Sequence, residues 1–281
     1  MLFRSLANIE QNINAGCIAI SDDGFPVTNS KLLYEAMTIS KKLGVPVIED
    51  AAHSLGTTWR GKNIGTFGRL GCFSFQSYKL LNSGEGGMLI TDDPDCFAKA
   101  VVMSGAYEHN WKKHHGERQF FEKWQNQLPL YNMRLNNLSA LIIDSQIPYL
   151  DERIENGRRN HDIAAKKLSH SEWIHVPEKF EHEARAPDSI QFNLVGLTPL
   201  EVSQFCDLIN RMGVALQVFG NSKDNARAFW NWDFLPERFN LPKTRGMLMN
   251  ACDVRLPARL NVDDCKSIAE MILEALRQVK S

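Results

Sequence analysis

The 281 residues hold 32 Lys and Arg against 33 Asp and Glu, a formal charge of −1 that removes any bulk electrostatic case for nucleic acid or an anionic membrane. A hydrophobic content of 43% is ordinary for a globular chain, long enough here for one large domain or two smaller ones. No apolar run approaches a membrane span, the opening residues lack a signal-peptide pattern, and six scattered cysteines without a C-x-x-C pair fit a reduced, cytoplasmic protein without disulfides or metal.

Leu2, Phe3, Leu6, Ile9 and Ile13 fit a short amphipathic helix over residues 1–16, and Cys17 to Ile20 is a strand candidate with a turn after it at residues 22–26. A helix capped by Asn29 or Ser30 turns Leu32, Leu33, Ala36, Ile39 and Leu43 inward and stops at Gly44. It delivers the chain to Val45-Pro46-Val47-Ile48, a run that reads as a buried strand ending in Glu49 and Asp50, and so completes a β-α-β unit. In open α/β sheets ligands sit beyond the carboxyl ends of strands, so Asp50 and the following His53 stand where chemistry is usually done. Alone, Asp50 reads equally well as a cap for Ala51 and Ala52.

A second apolar run from Gly71 to Phe75 leads through Gln76 and Ser77 to Tyr78 and Lys79. Phe73, Phe75, Tyr78, Leu80 and Leu81 predict an apolar neighbourhood for Lys79, whose desolvation lowers a lysine pKa as a nucleophilic amine requires. An isolated lysine is more often a solvated surface charge. The turn of residues 82–87 carries three glycines suited to positive φ or close backbone approach, and Met88 to Thr91 is the next strand.

Beyond Pro94 a helix is expected through Phe97, Ala100, Val101 and Val102. A polar, aromatic loop with a buried Trp then runs to Trp124, with His114 and His115 as a solvated pair. Asn136 or Asn137 caps a long helix that Pro148 kinks and that continues through Gly157 towards Leu168. The remainder predicts a strand at Ser189 to Val195, a capping box at Thr198 to Glu201 opening a helix that ends at Gly213, and a strand at Val214 to Phe219. Trp230 and Trp232 read as core or interface. A last strand at Asp253 to Pro257 precedes a final helix capped by Asn261.

Three motifs in this order carry a resemblance. Residues 49–56 read E-D-A-A-H-x-x-G, residues 65–75 read G-x-x-G-x-x-x-x-F-S-F, and residues 79–87 read K-x-x-x-x-G-E-G-G. Together they resemble the active-site block of the DegT-type, pyridoxal-phosphate-dependent sugar and aminocyclitol aminotransferases, within the aspartate aminotransferase fold group. The resemblance implies an α/β fold of fold type I: a three-layer αβα large domain, here incomplete at its N-terminus, and a small α+β C-terminal domain. Residues 1–150 are expected to be the partial cofactor-binding domain, and residues 151–281 the connecting helix and small domain.

By the same resemblance Lys79 holds pyridoxal 5'-phosphate as a Schiff base and shuttles the proton, while Asp50 pairs with the pyridine nitrogen. His53 lies against the ring or reaches its phenolic oxygen, Ser74 binds the phosphate, and Gln76 lies near the same site. Residues 130–135 are similar to the family's G-Y-N-Y-R-M element, with Leu130 in place of the glycine. This implies a homodimer with shared active sites, Asn132 reaching the partner's cofactor phosphate and Arg134 the substrate or phosphate. The implied reaction moves an amino group from glutamate or glutamine to a keto sugar, a nucleotide-linked keto sugar or a keto cyclitol. Lys79 argues against the family's dehydratase branch, in which that lysine is replaced.

Nothing before Cys17 resembles the family's phosphate-binding G-T-S/A turn or its ring-stacking aromatic residue, and Ser21-Asp22-Asp23-Gly24 lacks the histidine that relatives carry there. The chain therefore reads as N-terminally truncated, the latter two-thirds of the family's length. The alternatives are a truncated, non-catalytic paralogue that keeps fold and dimer surface, or complementation by a separately encoded N-terminal piece.

Overall fold

The structure, a computed structural model, describes residues 8–20, 30–221, 226, 228–234 and 240–281. It divides into two compact units between Leu150 and Asp151. Leu2, Phe3, Leu6, the turn at residues 22–26 and the Asn29 cap lie outside the described residues.

In the first unit, helix α1 (Ile9–Asn14) is capped by the Asn8 side chain, which accepts from Gln11 N–H. The strand expected at Cys17 to Ile20 contracts to a single parallel bridge, Ile20 to Val47. Helix α2 (Ser30–Leu43) ends in Lys41 and Lys42, cations suited to a helix C-terminus, and Gly44 follows at φ +68°. Strand β1 (Ile48–Asp50) is half-buried throughout rather than fully buried. A tight hairpin, β2 (Thr58–Trp59) and β3 (Lys62–Asn63), follows, then β4 (Leu70–Ser74) and β5 (Gly87–Ile90). The sheet order is β1-β4-β5, parallel between β1 and β4 and antiparallel between β4 and β5. In register, Glu49 faces Gly71 and Asp50 faces Cys72.

Helix α3 (Pro94–Met103) starts with proline in its first turn and with Asp93, whose carboxylate accepts from the N–H groups of Asp95 and Cys96. The expected loop up to Trp124 is instead mostly helical: a 3₁₀ turn at Tyr107–Lys113 and helix α4 (Arg118–Trp124). Its aromatics supply the reason, because they build their own core. The Trp111 ring, 4% exposed, stacks on Phe121 at 5.2 Å with planes 4° apart, and Phe97 meets Phe121 edge-on at 5.9 Å.

The long helix expected from Asn137 is interrupted, not kinked. Helix α5 (Asn137–Asp144), capped by Asn136 accepting from Ser139 N–H, stops four residues before Pro148. A proline ring clashes with the carbonyl of residue i−4, which is Asp144 here. A 3₁₀ turn at Ile147–Tyr149 intervenes before helix α6 (Leu150–Leu168).

The second unit holds short strands β6 (Ile174–His175) and β7 (Glu183–Ala184), then β8 (Ser189–Leu194), helix α7 (Pro199–Arg211), β9 (Leu216–Val218), helix α8 (Pro242–Leu248), β10 (Ala251–Arg255) and helix α9 (Val262–Lys280). Its four-stranded antiparallel sheet runs β6-β8-β10-β9. Alternate residues of β8, Ile190, Phe192 and Leu194, are buried in one cluster with Phe205 and Ile209 of α7 and Ile272 and Leu276 of α9. Both capping boxes form, at Thr198 with Glu201 and at Asn261 with Asp264.

Candidate active site

Strand alternation sorts the first sheet into two faces. Residues paired in register share a face, so Asp50, Cys72 and Ser74 point one way and Glu49, Gly71 and Phe73 the other. The proximity of Asp50 and Cys72 has an electrostatic signature: burial, and then the Asp50 charge, push the Cys72 thiol above its ordinary pKa. Asp50 itself accepts from Ala52 N–H through Oδ1 at 3.1 Å, but the residues that follow form a turn and no helix, so the expected helix-capping alternative is corrected to a local side-chain turn.

The turn after β1 carries His53, and its Nε2 lies 2.6 Å from Nζ of Lys79. Lys79 stands in the loop between β4 and β5. That loop is closed by Phe75 N–H to Gly86 O and Ser77 N–H to Gly84 O, both 2.8–2.9 Å, and Asn82 Nδ2 donates to Lys79 O at 3.2 Å. From the break before Pro148, Gln146 Nε2 donates to Asn82 O at 2.7 Å and ties the loop down. The Ser74 hydroxyl accepts from Gln76 N–H at 3.3 Å, and Gln76 Oε1 accepts from Tyr78 N–H at 3.0 Å.

The apolar surroundings expected for Lys79 are a correction. Phe75 and Leu81 turn inward to Ile143, with Leu55 and Leu150 against them, and build the floor of the loop. Tyr78 is 64% exposed and Lys79 half-buried, so the loop's apolar side chains do not enclose the lysine as expected; Phe75 and Leu81 pack beneath it instead.

Asn132 and Arg134 lie on an exposed extended segment, bonded through Tyr131 N–H to Met103 O and Met133 N–H to Ser104 O. The Arg134 guanidinium sits 5.3 Å from the Tyr107 ring centre, a cation–π contact that the sequence reading missed. The segment ends near the glycine turn, where a Cβ on Gly86 would come within 2.8 Å of Leu135 Cδ1. Among the described residues no group of three His, Cys, Asp or Glu could hold a metal ion, and no helix is long and apolar enough to cross a membrane.

Glu49 is the principal residue the sequence reading left without a role. Its Oε2 accepts from Gly65 N–H at 2.7 Å, and its Oε1 accepts from Phe67 and Gly68 N–H at 2.6 and 2.5 Å. Period-two alternation was the available signal, since two adjacent acids on a strand face opposite sides.

The chain is 35% identical to 3-amino-5-hydroxybenzoate synthase of Amycolatopsis mediterranei over 194 residues, which are 68% of this chain and 48% of that protein. It is 29% identical to GDP-perosamine synthase of Escherichia coli O157:H7 over 147 residues, 52% of this chain and 38% of the relative. Among solved structures, Helicobacter pylori PseC, an aminotransferase involved in the biosynthesis of pseudoaminic acid, matches 96% of this chain and 70% of its own with a TM-score of 0.77 at 16% identity. The structure of 3-amino-5-hydroxybenzoic acid synthase matches 88% of this chain and 64% of its own with a TM-score of 0.70 at 22% identity. The chain thus has the fold-type-I architecture of these enzymes while spanning less than half the length of these two curated relatives. The profile of the DegT/DnrJ/EryC1/StrS aminotransferase family matches residues 31–273, and the protein belongs to that family.

Proposed function

We propose that this protein is a pyridoxal-phosphate-dependent aminotransferase. It takes an amino group from glutamate or glutamine and delivers it to a keto sugar, a nucleotide-linked keto sugar or a keto cyclitol. The observation that carries the reading is the 2.6 Å approach of Lys79 Nζ to His53 Nε2 in a family member whose Asp50 and Ser74 share a sheet face. An amine, an imidazole, a carboxylate and a hydroxyl near the carboxyl ends of β1 and β4 fit a ring that bears a carbonyl, a phenolic oxygen, a basic nitrogen and a phosphate.

Pyridoxal phosphate, when bound, supplies an electron sink for the carbon that carries the amino group. The chain's own residues do the rest. The Asp50 carboxylate would hold the pyridine nitrogen and favour its protonated form, because an anion beside a basic nitrogen stabilises the cation. Ser74 would donate its hydroxyl to the phosphate. Gln76, whose Oε1 is engaged by Tyr78 N–H, would offer its Nε2 to the same anion. His53, 2.6 Å from the Lys79 amine, would orient it, and Lys79 would hold the cofactor and carry a proton at Nζ.

Asn132 and Arg134 serve the site of a second copy, which makes the assembly a homodimer with shared sites. Leu138, Leu141, Ile147 and Tyr149 expose an apolar surface in the same part of the chain, as an interface requires. All six cysteines are free thiols, in keeping with a cytoplasmic protein. No observation favours the non-catalytic alternative over this reading.

The test is a half-reaction. The chain is mixed with pyridoxal phosphate and glutamate or glutamine, and the keto acid is quantified. Release of one keto acid per chain, abolished in Lys79→Ala, is expected. No keto acid from either donor refutes the reading.

A further inference from the structure

We infer that Glu49 is the positioning residue of Asp50: its carboxylate clamps the loop of residues 65–68 onto β1 and so fixes where the Asp50 carboxylate stands on the opposite face. The inference rests on the proposed pairing of Asp50 with the cofactor nitrogen and deepens it.

Three backbone N–H groups converge on one side chain, those of Gly65, Phe67 and Gly68, at 2.5–2.7 Å. Hydrogen bonds to an ionised carboxylate are about twice as strong as neutral ones. β1 is only three residues long, and its described ladder is three pairs with β4 and the Ile20 bridge beside it. The clamp therefore adds as many bonds to the end of β1 as the strand has pairs.

Loop and strands are also in contact with no room between them. A Cβ on Gly68 would lie 2.7 Å from Val47 O, one on Gly71 would lie 2.1 Å from Gly65 O, and one on Gly65 would lie 2.5 Å from the Phe73 ring. Arg69 N–H bonds to Val47 O at 3.0 Å. The loop cannot shift without moving β1, and Asp50 is the next residue along that strand. Glu49 touches neither cofactor nor substrate in this scheme, so its effect passes through Asp50.

Glu49→Gln is the informative variant. It keeps an oxygen for Phe67 and Gly68 and turns an NH2 group against Gly65 N–H. In the cofactor-free chain, amide exchange at Gly65 should rise about tenfold, the size of losing roughly 1.4 kcal/mol of local protection. The Asp50 side-chain carboxyl resonance should move, and pyridoxal phosphate should bind about tenfold more weakly and with an altered absorbance–pH profile. Phe121→Leu, which loosens the aromatic core of the same unit, should move neither the resonance nor the profile.

An Asp50 resonance and cofactor affinity within about twofold of the parent would overturn the inference, as would equal changes in Phe121→Leu. Should Glu49→Gln not fold, Glu49→Asp, one carbon too short to span the loop, is read in the same way. A parent chain that takes up no pyridoxal phosphate fails the proposed function instead, and the Asp50 resonance of the cofactor-free chain then decides the clamp by itself.

Discussion

Replacing Gly71 by Ala separates local propensity from packing. By propensity alone the change is favourable, since glycine in a strand interior costs roughly 0.5–1 kcal/mol relative to alanine. The structure predicts the opposite sign. The new Cβ would stand 2.1 Å from Gly65 O, 2.7 Å from its Cα and 2.8 Å from its carbonyl carbon, all backbone atoms that cannot rotate away. Relief requires the loop to retreat by about an ångström, an overpacking cost of about 1–3 kcal/mol. Retreat also stretches the Gly65 N–H bond to the Glu49 carboxylate, and a hydrogen bond to a charged group is worth about 1.5–3 kcal/mol. Offsetting the alanine gain, the net loss is about 1.5–5.5 kcal/mol. For a chain of this size that is a fall in Tm of about 3–22 °C. Thermal melting by circular dichroism, with amide exchange at Gly65 followed in parallel, reads both. A variant melting at or above the parent temperature, with Gly65 still protected, would refute the close packing on which the clamp depends.

Gly157→Ala in α6 has the same logic in a helix: its Cβ would lie 2.3 Å from Pro187 O, so urea unfolding should show a loss of about 1–3 kcal/mol where helix propensity alone predicts a gain. Phe121→Ala empties the stack on Trp111 and should cost about 3–5 kcal/mol in the same measurement. Glu201, bonded first by Thr198 N–H and then by Lys280, titrates at about 2 in place of its ordinary 4.5. A depressed carboxyl stabilises the fold above its unfolded value, so that contribution should fade as pH falls from about 4.5 to about 2, and melting curves of Glu201→Gln should be flatter across that window. Burial pushes the Cys206 thiol up to about 11 and Cys252 further, so an aromatic disulfide reagent should modify exposed Cys17 in the native chain and reach those two only on unfolding.

The order of an acid ending one strand, a histidine in its turn and a lysine before a glycine-rich turn was readable because each is a local pattern. Caps were readable for the same reason: Thr198, Asn136 and Asn261 act on their own first turns. Features that depend on what a residue meets across the chain were not. The helical character of residues 107–124 comes from Trp111, Phe121 and Phe97 finding one another, which neither polarity nor charge discloses. Pro148 signalled a disturbance, but the choice between a kink and a full stop was decided by the clash at Asp144 and by the work Gln146 does at the break. Lys79 shows the limit most plainly, since Phe75 and Leu81, read as its dry surroundings, are committed to Ile143 beneath the loop. Glu49 was hidden because its partners are backbone N–H groups 16 to 19 residues away, which side-chain identities do not reveal.

Lys79 as the point of covalent attachment is tested most directly by trapping. The chain is incubated with pyridoxal phosphate, reduced with borohydride and digested, and the modified peptide is sequenced by mass spectrometry. The account requires one stable pyridoxyl adduct, on Lys79, with the adduct lost in Lys79→Ala. An adduct spread over surface lysines, or undiminished when Lys79 is replaced, would contradict it.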